Sequence, residues 1–395
     1  MAQKPIDSSH LSTKVGFWEK TRFFLRRQIF QAGIPQAILS ILGGGQLPES
    51  FIKRFTFYSK LPKSEILGTL TDIRSLKKWS QAWKSHAQTW EAEGQRLYDS
   101  EKKKEAAPYL FRAALFYHYG QFISFTNVEQ KLQMQKKTQE LYRKAAPFFD
   151  PPARAVNIPF RSILMPGYLR IPQSKIVGMM VFVNGANSVK EELHRLSDEF
   201  IKKGYVTLTY DDPGVGETWP LAKGLIEQEQ VASSIMDYIE KLGLPSVATK
   251  NVGLMGISLG GWKVIRMGAF EKRISAIISV SGPFDARSYY DDLLPFVQDE
   301  ISFSLGNPSA QEISTFIDKA SLVGIVGKVE APVFVAGGEN DVILPGREAA
   351  RIFNALSQNP QNHLGIYDAN HVCIEEIEKL IADVQSWLSQ ILRRE

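Results

Sequence analysis

The chain is short of the features that would open several chemistries at once. Only one of its 395 residues is cysteine, Cys373, so no intrachain disulfide can form, and a structural zinc site built on a cysteine cluster is excluded. No apolar run reaches the roughly 18 residues that a membrane-spanning helix needs. The opening Met1-Ala2-Gln3-Lys4-Pro5 has no apolar signal core, which favours a cytoplasmic protein. Gly214-Val215-Gly216 falls short of Gly-x-Gly-x-x-Gly and follows a late strand, which argues against a dinucleotide site. Among the six histidines no pair has persuasive metal-ligand spacing, so neither metal nor cofactor is expected.

Charge is unevenly spread. Residues 1–150 hold 24 Lys and Arg against 13 Asp and Glu, a surplus of 11, whereas the remainder holds 23 against 29. Such a basic segment suits an anionic substrate, a membrane surface or an acidic acyl carrier protein, and it suits equally well packing against the acidic remainder. No compact Lys/Arg block or nucleic-acid motif accompanies it, so a solvated and interdomain surface is the preferred reading and no nucleic-acid partner is expected.

What is present divides the chain in two. Residues 14–31 mix aromatic and basic side chains in a helix that could lie on lipid or cover a hydrophobic cleft, docking being the preferred reading, and residues 35–42 form another short helical segment before Gly43-Gly44-Gly45. Residues 48–62 read as the next helix, and Asp72 as the cap of a long one through about Glu93. Trp79, Trp83, His86 and Trp90 recur at helical spacing, as core or pocket wall. Helices over 97–120 and 128–149 follow, ending at Pro151-Pro152. Residues 1–155 therefore read as a helical, substrate-shaping domain.

Beyond them the period changes. Strand-like runs at 160–169, 176–183, 205–210 and 274–280 alternate with helical runs at 188–203 and 226–242, and strands near 332–336 and 363–367 flank a helix at 347–356 before a closing helix at 372–392. This rhythm predicts a mostly parallel sheet covered on both faces. It spans 156–281 and 331–395. Residues 282–330 break it as a short helical, lid-like insertion over the sheet's carboxyl edge.

The chemistry centres on Gly256-Ile257-Ser258-Leu259-Gly260. After a buried strand and before a helix, Gly-x-Ser-x-Gly puts the serine on a strained turn with its oxygen exposed. A neutral serine needs a base, and the base an orienting acid. Asp341 follows one later strand and His371 the next, in the chain order expected for an α/β-hydrolase. Glu339 is the competing acid; His363 stands at a strand start, at the wrong end of the sheet; His10, His86, His118 and His194 read as surface or packing residues. For the oxyanion hole the backbone N–H of Leu259 is one candidate, and that of Ala186, with Asn187 as the alternative, the other. Asp211 and Asp212 resemble a carboxylate pair, but a tight turn explains them better, and Cys373 reads as a buried thiol.

With the elbow, acid and histidine in place, the chain resembles an α/β-hydrolase group that carries an N-terminal helical domain. This group includes the bacterial pseudooxynicotine hydrolases and the polyketide-shortening hydrolases of pigment pathways. The resemblance covers most of residues 14–395 and is strongest in 183–192, 211–217 and the three catalytic segments. It implies Ser258 as nucleophile, Asp341 as acid, His371 as base, and an oxyanion contribution near Ala186 or Asn187. Within the group the chain looks most like a bacterial polyketide-shortening enzyme of anthraquinone biosynthesis, which implies carbon–carbon cleavage in a poly-β-ketone through an acyl-enzyme, and a homodimer. A carboxylester hydrolase, and a non-catalytic carrier or pigment-binding protein on the same shell, are the alternatives.

Overall fold

The computed structural model describes residues 49–123 and 127–392; the helical readings at 14–31 and 35–42, and His10, lie outside them. Among the described residues, helices α1 (Glu49–Ser59), α2 (Lys63–Thr71), α3 (Trp79–Asp99), α4 (Lys103–Gly120) and α5 (Val128–Ala145) precede the sheet. Phe55 of α1 fills the space between Trp79 and Trp83 of α3 and Tyr119 of α4, with ring centroids 4.6 to 6.3 Å apart. The tryptophan stripe is thus core at Trp79 and Trp83. Further along, Trp90 lies beside Tyr109 under the Arg112 guanidinium, and His86 turns outward to Asp72 at 2.8 Å.

Asp72 does not cap the long helix. It ends α2, where its N–H reaches the Leu70 and Thr69 carbonyls, and the long helix starts only at Trp79, after a tight turn at Leu76–Lys78. Asp is as serviceable beyond a helix end as before a helix start, so the residue type alone misled.

The sheet has eight strands: β1 (Arg154–Phe160), β2 (Ile163–Arg170), β3 (Gly178–Val183), β4 (Tyr205–Tyr210), β5 (Val252–Ile257), β6 (Ala276–Val280), β7 (Val333–Gly338) and β8 (His363–Tyr367). Their order is β1-β2-β4-β3-β5-β6-β7-β8, antiparallel at β1/β2 and β2/β4 and parallel elsewhere. The first strand opens at Arg154, so the single run expected over 160–169 is the second arm of a hairpin whose first arm carries Pro159, a residue tolerated at an edge.

Helices α6 (His194–Ile201), α7 (Gln228–Glu240), α8 (Ser246–Lys250), α9 (Leu259–Phe270), α10 (Pro295–Ser304), α11 (Ala310–Lys319), α12 (Gly346–Ala355) and α13 (Ile377–Ile391) complete the fold. Alternation along the strands assigns the two faces. Met180, Phe182, Met255, Ile278 and Phe334 point to α6, α13 and the N-terminal helices in one continuous core. Val181, Leu254, Ile277 and Val335 point to α7, α9 and α12 in the other. Each fully buried Phe, Leu or Ile here contributes about 2 kcal/mol by removal from water, so the helices and the sheet face they share stabilise each other. Helices α10 and α11 occupy the stretch read as the insertion, and α11 is closed by a reciprocal Ser309–Glu312 cap. Among the described residues no helix is long and apolar enough to cross a membrane.

Candidate active site

Strand β5 runs into Ser258 and the chain turns at once into α9. The turn holds Ser258 at φ +58° and ψ −126°, left-handed backbone that an L side chain adopts only under strain. A Cβ on Gly256 would lie 2.0 Å from the Gly260 carbonyl oxygen, and one on Gly260 2.3 Å from that of Val183. Strand and helix therefore meet at a distance that glycine alone permits. Replacing Ser258 by Gly should raise unfolding stability by about 1 kcal/mol, since strain of order 1–3 kcal/mol is relieved against a smaller entropic penalty. Urea unfolding checks this, and a less stable variant would mean the turn is not strained.

Asp341 leaves the end of β7 and His371 the end of β8, beside the elbow at the end of β5. His371 Nε2 lies 2.9 Å from Ser258 Oγ, and Nδ1 lies 2.8 Å from Asp341 Oδ2. The second oxygen of Asp341 accepts from the N–H groups of Ile343 and Leu344, both at 2.8 Å, so the carboxylate is fixed from two sides. It is fully buried, whereas the His371 ring is 20% exposed. Val372 and Cys373, which follow the histidine, both have positive φ, and the Val372 N–H donates to Ser281 Oγ at 3.1 Å. For a β-branched residue that conformation is unusual and persists only where the surroundings impose it. Burial pushes the Cys373 thiol well up, which leaves it a poor nucleophile.

The loop after β3 approaches the elbow from the other side. A Cβ on Gly185 would stand 3.9 Å from Ser258 Oγ, and Ala186 and Asn187 come next. Leu259 opens α9, where the first backbone N–H groups are not consumed by the helix's own ladder. The Asn187 side chain is turned away to donate to Glu300, so an oxyanion contact from Asn187 would use its backbone.

This loop is tied down by buried charge, which is why the helix expected from Ser188 begins only at His194. Arg54 of α1 donates twice to Glu192, at 2.9 Å each, and Ser188 Oγ donates to the same carboxylate at 2.8 Å. His118 of α4 faces it at 3.4 Å without hydrogen-bond alignment. Burial alone would push Glu192 up, but Arg54 and His118 outweigh it and hold the carboxyl well below its usual range. Breaking this pair by Arg54→Met should destabilise the fold by about 3 kcal/mol, since a buried carboxylate loses its partner. Because the folded pKa lies below the ordinary value of 4.5, this stabilisation is complete above that pH and is lost as pH falls below it. Urea unfolding across that range checks both statements, and Glu192→Gln should flatten this part of the pH dependence.

The rival candidates have other partners. Asp211 accepts from the N–H and ammonium of Lys190 and from Glu217 N–H, and Asp212 pairs with Lys263 at 2.7 Å, both buried among structural contacts. His194 meets the Tyr142 hydroxyl at 2.7 Å, His363 stacks on Phe334 at the opposite end of β8, and Glu339 is exposed. Arg54, Glu192, Ser281 and Glu300 went unread in the sequence. The run Lys190-Glu191-Glu192, directly after a fully apolar strand and a turn, was the one local sign of a buried ionic cluster.

A sheet of this order, with a serine at the β5 elbow and a histidine and carboxylate after the last two strands, defines an α/β-hydrolase. The chain belongs to the FrsA-like esterase family, whose model matches residues 57–393. A 2,6-dihydropseudooxynicotine hydrolase of Paenarthrobacter nicotinovorans is 27% identical over 319 residues, covering 80% of this chain and 84% of that protein. Hydrolase ffsE of Aspergillus flavipes is 32% identical over 178 residues, 39% of either chain. The crystal structure of the 2,6-dihydroxy-pseudo-oxynicotine hydrolase superposes with a TM-score of 0.75 at 25% identity, covering 86% of this chain and 95% of that one. The resemblance drawn from the motifs is thereby borne out at the level of the group.

Proposed function

We propose that the protein is a serine hydrolase that cleaves a carbon–carbon bond in a poly-β-ketone through an acyl-enzyme on Ser258. The observation that carries this reading is the unbroken hydrogen-bonded chain from Asp341 through His371 to Ser258. His371 takes the Ser258 proton as the oxygen attacks a ketone carbon, and Asp341 holds the ring in the productive tautomer. The N–H groups of Leu259 and Ala186 receive the oxyanion. Collapse breaks the bond to the adjacent carbon, whose electron pair passes into an enolate stabilised by the next carbonyl, and His371 returns the proton to that carbon. Water activated by neutral His371 then releases the acyl group as a carboxylic acid.

The substrate class is supported by the group resemblance, and the hydrolase activity by the pseudooxynicotine hydrolase that matches most of the chain. In this reading the helices before residue 155 and the 282–330 insertion shape the cavity and exclude water until the first bond is broken. The family description favours carboxylester hydrolysis as the second reading, with the same residues. Product masses separate the two: incubation with a linear poly-β-ketone should yield a shortened ketone and a carboxylic acid, and neither with Ser258→Ala. An intact ketone beside rapid turnover of a simple ester would select the second reading.

A further inference from the structure

Beside Ala186 lies a small cavity walled by several separate parts of the fold, the turn at Gly214–Gly216 among them. Lys131 and Gln135 reach it from α5, Asn187 from the loop after β3, and Glu300 and Phe303 from α10. The space is about 20 Å³, enough for one water-sized group. Lys131 is buried; its ammonium donates to the Gln121 backbone carbonyl at 2.8 Å and to the Gln121 side-chain oxygen, and it lies 4.9 Å from the Phe303 ring centroid. Glu300 accepts from the Asn187 amide, and α10, which carries it, is pinned by Trp219, which stacks on Phe303 at 4.3 Å and donates to the Phe303 carbonyl.

Desolvating an ammonium and a carboxylate costs several kcal/mol for each ion. Burial pushes Lys131 down and Glu300 up from their usual ranges, so neither charge is comfortable there. An apolar pair would seal the same gap more stably. Polar groups converge instead on a space the size of one oxygen, next to Ala186, whose N–H is the proposed oxyanion donor.

We propose that this cavity is a second oxygen-binding subsite in which Lys131 holds a further carbonyl or enolate oxygen of a β-dicarbonyl substrate, while Glu300 fixes Asn187 at its rim. The inference deepens the serine-hydrolase reading of Ser258 and rests on it. For diacetylacetone, a linear triketone, Ser258 Oγ bonds to a terminal carbonyl carbon and the bond to the neighbouring methylene breaks. The electron pair goes to the enolate of acetylacetone, whose oxygen Lys131 receives without giving up its proton. His371 protonates the methylene carbon, and water converts acetyl-Ser258 to acetate.

The test compares kcat/KM of the wild-type enzyme, Lys131→Met and Glu300→Gln on diacetylacetone and on p-nitrophenyl butyrate, which has no second ketone. A hydrogen bond to a charged group is worth about 1.5–3 kcal/mol, so Lys131→Met should lose about 10- to 100-fold more on the triketone than on the ester. Glu300→Gln should lose in the same sense by less. Equal losses on both substrates, the pattern of a purely structural pair, or no loss on the triketone, would overturn the subsite. Binding of diacetylacetone to Ser258→Ala, measured calorimetrically with and without Lys131→Met, separates this from failure of the cleavage reading. At least tenfold weaker binding in the double variant is expected even if the wild-type enzyme never cleaves the triketone, and equal binding would refute the subsite alone.

Discussion

Ser258→Ala is expected to lower kcat on a poly-β-ketone by about a million-fold, the scale seen when a nucleophile is removed from an intact constellation. Ala keeps the φ of +58° that Ser258 adopts, so the elbow stays as strained as before and stability should hardly change. The His371 ring loses its partner at 2.9 Å but keeps Asp341 at 2.8 Å. A folded, substrate-binding and inactive protein is therefore the predicted variant. Turnover by single-turnover kinetics and stability by urea unfolding check the two halves. Undiminished turnover by Ser258→Ala would place the chemistry on another residue, and binding without turnover by the wild-type protein would select the carrier reading.

Asp341→Asn should cost about ten-thousand-fold in kcat with KM little altered, by the logic of a wrong tautomer rather than a lost contact. One oxygen of Asp341 accepts from the N–H groups of Ile343 and Leu344, and the other faces His371 Nδ1. An Asn must offer its one oxygen to the two backbone donors, which turns its NH₂ toward the imidazole. Donor would then meet donor unless Nδ1 gives up its proton. The proton moves to Nε2, and that nitrogen can no longer accept from Ser258. A fall in kcat of less than tenfold would mean that His371 is not oriented through Asp341. Comparison of kcat and KM on one substrate distinguishes this from damaged binding, which would raise KM.

How much of this was visible in the chain differs by element. The elbow was legible because a Cβ on Gly256 or Gly260 would stand only 2.0 or 2.3 Å from a backbone carbonyl oxygen, a constraint that no other residue satisfies. The positions of Asp341 and His371 were legible from topology, since residues just after consecutive parallel strands share one sheet edge. The support around them was not. Arg54 and Glu192 are 138 residues apart, and nothing in local composition says that a guanidinium on the first described helix clamps the loop beside the nucleophile. Lys131 and Glu300 meet only because α5 and α10 close over the same loop. Periodicity finds apolar faces, but it carries no record of which buried charges find each other. The Asp72 misreading has the same origin, because a capping residue type does not state which end of which helix it serves.

The helical segment therefore does more than cover the sheet. Its Arg54 grips the loop after β3 through Glu192, its Lys131 faces the cavity beside Ala186, and its aromatic core is continuous with one face of the sheet. Changes in α1 or α5 should be felt at the nucleophile through the 184–192 loop.

The most direct measurement is mass spectrometry of the protein quenched while it turns over a linear poly-β-ketone, with the peptide containing Ser258 sequenced. The account predicts the acyl fragment of the cleaved ketone as an ester on Ser258, transient in the wild-type enzyme and missing from Ser258→Ala. Shortened ketone released at an undiminished rate by Ser258→Ala, or an adduct on another residue alone, would contradict it.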